Sequence, residues 1–141
     1  MKILLRVFLV LLWSVLSSTS NAGDIRVEIT GLKNSDGDVH VALFDSPDGF
    51  PYSEAILVEE ELKIINKEAS FIFRNLKEGM YAIAAYHDQN ANDEFDQNFL
   101  GIPQEDYQFS NDVQVFLVPP SFDEAKFKLL DRLKTITIDF R

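Results

Sequence analysis

Four oxygen-bearing side chains recur at regular spacing in the middle of this chain, where Asp88, Asn90, Asn92 and Asp96 occupy offsets 0, 2, 4 and 8. Alternate side chains of one tight loop can turn their oxygens onto a single hard cation, and calcium loops place ligands at these offsets. Oxygen ligands favour calcium over zinc. With the carbonyl of Glu94 as a backbone ligand, the spacing predicts a calcium site formed by Asp88, Asn90, Asn92, Glu94 and Asp96.

This ligand set is smaller than the about six to eight oxygens that calcium takes. We therefore expect Glu105 or Asp106 to complete the shell. The loop is not that of an EF-hand, because Asp93 stands where such a loop has Gly and Phe99 stands where it has Glu. An alternative stays open, since Asp and Asn also form Asx turns that hold a surface loop together without an ion.

The two histidines allow a second class of function. His87 directly precedes the loop, and His40 lies on the polar side of its strand. A small periplasmic hydrolase or metalloenzyme would pair His87 with Asp88 or Asp96 as a general base. The chain has no Cys, no Ser-centred nucleophile elbow and no H-E-x-x-H motif. We therefore expect a non-catalytic binding module, assign no catalytic residue, and keep the enzyme as the alternative.

The first 22 residues have the pattern of a secretory signal peptide. Two basic residues lie within the first six positions, residues 3–16 are almost wholly apolar, and small residues precede a cleavage point after Ala22. The apolar run is shorter than the about 20 residues of a membrane-spanning helix. We predict a chain exported to the periplasm or secreted, without membrane insertion after cleavage, and a single domain over residues 23–141.

Acidic residues outnumber basic ones by 23 to 13, for a formal net charge of −10. Such a charge repels phosphate backbones and anionic lipids, which argues against nucleic-acid or membrane partners. A protein or carbohydrate ligand is the expected partner, and a homodimer through edge strands is compatible with either function. Phe99, Tyr107 and Phe109 flank the loop and either form a cleft for a sugar or peptide or pin the loop to the domain. We favour pinning, because buried aromatic residues are common anchors.

Alternation of apolar and polar residues with period two predicts short strands over most of residues 23–141. Residues 24–30 and 38–44 are interpreted as a hairpin because Asp36-Gly37 between them is a strong turn signal. Residues 70–76 and 80–87 form further strands, and the cation loop begins directly after the second of these. Residues 55–65 are expected to pass from a short helix or irregular segment into a strand.

The last quarter of the chain contains a capping-box pattern, Ser121-Phe122-Asp123-Glu124, which predicts one helical turn. Residues 113–118 are apolar and β-prone, residues 127–129 are expected to form a strand, and alternation predicts a final strand through Ile136, Ile138 and Phe140. The pattern as a whole indicates an all-β, antiparallel sandwich of about seven strands with one or two short helical turns, in which Phe and Tyr fill the core.

The segments Leu76–Ile83 and Tyr86–Asn90 resemble the signature of a family of small exported bacterial proteins catalogued as domain of unknown function 2141. The resemblance covers nearly all of residues 23–141 through an L-x-x-G-x-Y strand and an H-D-x-N-x-N-x-x-x-D loop. It implies a prealbumin-like (transthyretin-like) Greek-key sandwich and brings no established activity. Similar proteins tend to have Gly where this chain has Asp93. That position is expected to be left-handed, a conformation that Asp tolerates.

Overall fold

The strand pattern is realised in the computed structural model, which describes residues 22–115 and 118–141 and contains eight strands within them. The strands are β1 (Ala22–Thr30), β2 (Asp38–Phe44), β3 (Val58–Lys63), β4 (Ala69–Lys77), β5 (Gly79–Asp88), β6 (Tyr107–Phe109), β7 (Phe127–Leu129) and β8 (Leu133–Asp139). One helical turn, α1 (Phe122–Ala125), and two 3-10 turns at Ser53–Ala55 and Ser110–Asp112 complete the elements. Residues 1–21 of the predicted leader lie outside the described residues, whereas Ala22 begins β1.

The strands form two sheets, which confirms the all-β sandwich. The smaller sheet has the order β4-β1-β8, and the larger has the order β3-β2-β5-β6 with β7 paired to the beginning of β5. The pairings between strands are antiparallel except that β1 runs parallel to β8. The Greek-key order of connections stays a prediction.

The predicted hairpin of residues 24–30 with residues 38–44 is wrong. β1 pairs with β4 and β8, whereas β2 pairs with β3 and β5 in the other sheet. The segment between them, residues 31–37, is long enough to cross the about 10 Å that separates packed sheets. The apolar faces of β1 and β2 therefore both point into the core, from opposite sides, instead of lying side by side.

The main core between the sheets is aliphatic rather than aromatic. Its fully buried members come from β1, β2, β5, β7 and β8 and include Ile25, Val27, Val41, Ile83 and Ile138. Most of the aromatic residues lie elsewhere, so the prediction that Phe and Tyr fill the core holds only in part. Phe73, Tyr81 and Phe127 do belong to it.

A second apolar cluster covers the outer face of the larger sheet. Phe44, Phe109 and Phe122 are buried there, and Phe50 contacts all three rings edge-on. The helical turn α1 carries Phe122, and its predicted capping box is confirmed: Glu124 N–H donates to Ser121 Oγ and Ser121 N–H donates to the Glu124 carboxylate.

Two predictions about the remaining segments can be compared with the structure. The 3-10 turn at Ser53–Ala55 leads into β3, as expected for residues 55–65. Residues 113–115 of the β-prone segment are not in a strand, and residues 116 and 117 lie outside the described part. In residues 22–115 and 118–141, no helix has the length and hydrophobicity needed to cross a bilayer.

Candidate functional site

Asp88 is the last residue of β5 and anchors the loop that follows. Its side chain is fully buried. Oδ1 accepts a hydrogen bond from the N–H of Asn92 (3.2 Å) and Oδ2 accepts one from the N–H of Asp93 (2.8 Å). Backbone donors offset part of the cost of burying a carboxylate. Asp88 therefore folds the chain back on itself over the next five residues.

The polar ends of three further predicted ligands meet in the same loop. Nδ2 of Asn90 lies 2.7 Å from Oδ2 of Asp96, and Nδ2 of Asn92 lies 3.0 Å from Oδ1 of Asp96. The amide oxygens of Asn90 and Asn92 each accept a hydrogen bond from the backbone N–H two residues later, on Asn92 and Glu94. The structure thus brings Asn90, Asn92 and Asp96 together, and the loop also contains the Asx turns of the ion-free alternative.

The backbone of this loop adopts left-handed conformations at two residues. Asp93 has φ = +62° and Ala91 has φ = +53°. The expectation for Asp93 is therefore confirmed. Asp tolerates this region because its short polar side chain can hydrogen-bond locally, whereas the same conformation costs Ala about 1 kcal/mol or more.

Of the two residues expected to complete the shell, Glu105 lies against the loop and Asp106 is engaged elsewhere. This side chain is only 8% exposed, its Oε2 accepts a hydrogen bond from Asp96 N–H (3.1 Å), and its Oε1 has no hydrogen-bond partner among the described residues. Burial, together with the charges of Asp88 and Asp96, raises the pKa of Glu105 above its usual value. Asp106 instead forms an ion pair with Lys33 at 2.8 Å.

The connection between β1 and β2 supports the beginning of the loop. Gly37 has φ = +64°, and a Cβ at this position would overlap the carbonyl oxygen of Asp88. Nearby, Nδ2 of Asn34 donates to Oε1 of Gln89 at 3.0 Å. The Asp36-Gly37 turn signal therefore marks a close approach to the site rather than a hairpin.

The aromatic residue that pins the loop is Phe95. Its ring lies 5.2 Å from that of Tyr86 and 5.6 Å from that of Tyr107, measured between ring centroids. Tyr107 in turn contacts the buried Phe109 edge-on. The prediction that Phe99 helps to pin the loop is wrong, because Phe99 is 95% exposed.

Phe99 lies instead at the tip of a tight turn. Gln97 forms a bridge with Pro103, and Oδ1 of Asn98 accepts hydrogen bonds from the N–H groups of Leu100 and Ile102. Phe99, Leu100 and Ile102 are all exposed. The turn therefore presents three apolar side chains to solvent directly after the candidate ligands.

His87 lies in the interior of the protein. It is fully buried, and its Nε2 is 2.7 Å from the carbonyl oxygen of Asp36. The enzyme alternative needs a concave pocket around this histidine with several titratable groups. A cleft of about 740 Å³ lies elsewhere, between the edges of the two sheets, lined by residues such as Arg26, Phe71 and Arg74. Among the described residues, neither ring nitrogen of His87 forms a hydrogen bond with a carboxylate, since Nε2 faces the Asp36 carbonyl and Nδ1 has no partner.

His40 is a functional candidate to which the sequence alone assigns no role. It is 8% exposed, stacks on Tyr86 with ring centroids 4.7 Å apart, and has Nδ1 3.2 Å from Oε1 of Glu59. His40, Glu61 and Asp93 place one possible ligand atom each within 4.8 Å of one another, so they could hold a metal ion. His40 and Glu61 are far apart in sequence and meet because they are register partners in β2 and β3. A correct pairing of those two strands is the signal that would have found them.

Comparisons with known proteins bear on the whole domain. A model of the family described as "Uncharacterized protein conserved in bacteria (DUF2141)" matches residues 27–137. The match confirms the resemblance found from the sequence and covers both the loop and the strands that carry it. Searches of curated proteins and of solved structures gave no match.

Proposed function

Because the chain belongs to the DUF2141 family, whose description assigns no activity, we propose a function from the geometry of the loop alone. The protein is an exported, non-catalytic β-sandwich module that binds a divalent cation, Ca²⁺, through Asp88, Asn90, Asn92, Glu94 and Asp96. Glu105 completes the shell. The predicted leader, residues 1–22, directs the domain to the periplasm or beyond.

The observation that carries this proposal is the meeting of two carboxamides on one carboxylate. The side chains of Asn90 and Asn92 both reach Asp96, at 2.7 and 3.0 Å, although the three residues are spread over seven positions. The charge of Asp96 is stabilised there by hydrogen bonds from amide N–H groups. A cation can take over that role, and the amides can then offer oxygen instead of nitrogen.

The charge around the loop favours a doubly positive ion. Glu105 adds a third carboxylate to those of Asp88 and Asp96. Its buried Oε1 lacks a hydrogen-bond partner among the described residues. A buried carboxylate oxygen without a donor costs free energy that a bound cation removes. The ligands are oxygens, which suits Ca²⁺, and the expected affinity is that of extracellular modules, with a dissociation constant of about 10⁻⁴–10⁻³ M.

A ligand or partner is proposed to bind beside the cation. A shallow cleft of about 440 Å³, lined in part by Ile102, Glu105 and Tyr107, adjoins the loop. Phe99 and Leu100 lie exposed next to it. Neutralisation of the acidic loop by Ca²⁺ favours the approach of a protein or a carbohydrate to this surface. A homodimer through exposed sheet edges stays a prediction, and sedimentation of residues 23–141 with and without Ca²⁺ tests it.

Thermal unfolding tests the cation site. The melting temperature of residues 23–141 is measured with a chelator, with Mg²⁺ and with Ca²⁺. A Ca²⁺ concentration one hundred times the dissociation constant stabilises the folded state by about 2.7 kcal/mol. Asp96→Asn should abolish this shift. Asp106→Asn is the matched control, since Asp106 pairs with Lys33 instead of the loop, and it should retain the shift. No stabilisation by any divalent ion, or equal stabilisation of wild type and Asp96→Asn, contradicts the proposal.

A further inference from the structure

We propose that His40, Glu61 and Asp93 form a second metal site, next to the oxygen loop, that takes a transition-metal ion of the Zn²⁺ type. The site joins the outer face of the larger sheet to the cation loop, because His40 and Glu61 lie on β2 and β3 while Asp93 belongs to the loop. It differs from the proposed calcium site in its ligands and does not depend on it.

The orientation of His40 supports the site. Its Nδ1 faces Glu59 at 3.2 Å, and its Nε2 has no hydrogen-bond partner among the described residues although the side chain is about nine-tenths buried. Nε2 is directed towards Oδ2 of Asp88 (3.7 Å) and Oδ1 of Asp93 (3.8 Å), both beyond hydrogen-bonding distance. A buried nitrogen without a partner is rare in folded proteins. A metal ion at Nε2 would satisfy it.

Glu59 is placed as the outer partner that metal-bound histidines usually have. A ligating imidazole almost always donates its other N–H to a carboxylate, a carbonyl or water, which sets the tautomer and the ring orientation. In the tautomer with the proton on Nδ1, that group donates to Glu59 and leaves Nε2 as the ligand atom. Stacking on Tyr86, with 12° between the ring planes, holds the imidazole in this orientation.

The other two ligands can close on an ion by small side-chain rotations. Bonds of about 2.0–2.2 Å in a tetrahedral zinc site place ligand atoms about 3.4 Å apart, whereas the three atoms here lie within 4.8 Å of one another. The side chain of Glu61 is 44% exposed and that of Asp93 is 72% exposed. Exposed carboxylates can rotate towards an ion held by the fixed imidazole.

The ligand types decide which ion each site takes. Imidazole is a good ligand for Zn²⁺, Cu²⁺ and Ni²⁺, while carboxylate and carbonyl oxygens alone suit Ca²⁺ and Mg²⁺. The negative charges of Asp88, Glu59 and the two carboxylate ligands surround His40. The cluster therefore attracts a divalent ion, and the imidazole selects a transition metal.

Histidine resonances test this site directly, because the chain contains only two histidines, His40 and His87. Tag-free protein is held in excess Ca²⁺ and titrated with Zn²⁺ while the imidazole signals are recorded by NMR. We expect the His40 signals to change with a stoichiometry of one Zn²⁺ per chain and the His87 signals to stay in place. Unchanged His40 signals, or changes confined to His87, overturn the proposal.

Variants separate this site from its surroundings. Glu61→Gln and Asp93→Asn should each weaken Zn²⁺ binding by tenfold or more, and both residues are exposed enough for the protein to fold. Glu60→Gln is the matched control, since Glu60 pairs with Val41 and lies on the opposite face of β3. Equal weakening by Glu60→Gln, or loss of Zn²⁺ binding in Asp96→Asn, refutes the assignment. The Ca²⁺ shift in melting temperature is measured on the same variants, so a failure of either site is seen separately.

Discussion

Nε2 of His40 lies 3.7 Å from Oδ2 of Asp88. An imidazole from the middle of β2 and the last carboxylate of β5 therefore meet where the cation loop leaves the larger sheet. The carboxylate of Asp88 accepts hydrogen bonds from two backbone N–H groups of the loop. Its Oδ2 also faces His40 on the neighbouring strand β2. This single buried carboxylate connects the two proposed sites.

Asp88→Asn should destabilise the protein even in the absence of ions. An Asn side chain has one acceptor oxygen, so its NH₂ group would face one of the two backbone donors that Asp88 now satisfies. A buried donor left without a partner costs about 1–3 kcal/mol. Urea unfolding in the presence of a chelator measures the loss. Asp96→Asn should lower the free energy of unfolding clearly less, because Asp96 is half-buried and water can reach the groups that lose their partner. Equal losses at the two positions would show that Asp88 is not the anchor of the loop.

Gly37→Ala should destabilise the loop more than Gly101→Ala. Both glycines have positive φ, +64° and +76°, so each substitution costs about 1 kcal/mol for the left-handed backbone. Only at Gly37 would the new methyl group overlap backbone, the carbonyl of Asp88, while at Gly101 it would meet no atom within 4 Å. We expect a loss of more than about 2 kcal/mol for Gly37→Ala in urea unfolding, together with weaker Ca²⁺ binding. A similar loss for the two variants would contradict the close approach of residues 31–37 to Asp88.

Phe95→Ala should loosen the loop, and Phe99→Ala should not. Phe95 packs against the rings of Tyr86 and Tyr107, and each such aromatic pair contributes about 0.5–1.5 kcal/mol. Phe99 is almost fully exposed, so its removal should change stability by less than about 0.5 kcal/mol. Hydrogen exchange of the amides of residues 89–96 reports local loosening, and faster exchange is expected in Phe95→Ala alone. Faster exchange in Phe99→Ala would restore the sequence-based prediction that Phe99 pins the loop.

Glu105→Gln should have opposite effects on the ion-free and the calcium-bound protein. Burial disfavours the ionised carboxylate, as the raised pKa of Glu105 shows, while Gln keeps an oxygen for the N–H of Asp96. With a chelator at neutral pH, the variant should therefore melt at a higher temperature than wild type. With Ca²⁺ it should gain less than wild type, since a charged ligand is lost. Glu105 would have only a structural role if the variant melted below wild type in the presence of a chelator and gained as much melting temperature from Ca²⁺ as wild type does.

The ion pair of Asp38 with Lys63 should make stability fall in acid. Lys63 Nζ donates to Oδ1 of Asp38 at 2.8 Å, and this hydrogen bond lowers the pKa of Asp38 below its usual 3.8. A lowered pKa means that the contribution of Asp38 is fully present above pH 3.8 and is lost as pH falls through the lower, folded-state value. The difference in melting temperature between wild type and Asp38→Asn should therefore shrink below that pH. In a Lys63→Gln background, the difference in melting temperature caused by Asp38→Asn should no longer change with pH. A difference between wild type and Asp38→Asn that stays constant down to pH 2 would contradict the role of the ion pair.

The sequence predicts most of the strands, the helical turn and the loop, because each of these depends on residues that are close together along the chain. Period-two alternation in β1, β2, β5 and β8, the capping box at Ser121 and the spacing of Asp88, Asn90, Asn92 and Asp96 all act within a few residues along the chain. The same is true of the left-handed backbone at Asp93. Such local patterns specify a conformation before any distant contact is made.

Only the tertiary structure decides which of these local elements contact one another. Alternation does not say which strand is a partner, so the sequence alone predicts the wrong neighbour for β1. The meeting of His40 with Glu61 depends on the register of β2 and β3. Burial, too, is a property of the packed molecule. It makes Asp88 an anchor, encloses Glu105 while Asp106 pairs with Lys33, and leaves Phe99 exposed while Phe95 packs against Tyr86 and Tyr107. The physical reason is common to all of these. They are contacts between residues far apart in the chain, and only the closed sandwich brings those residues together.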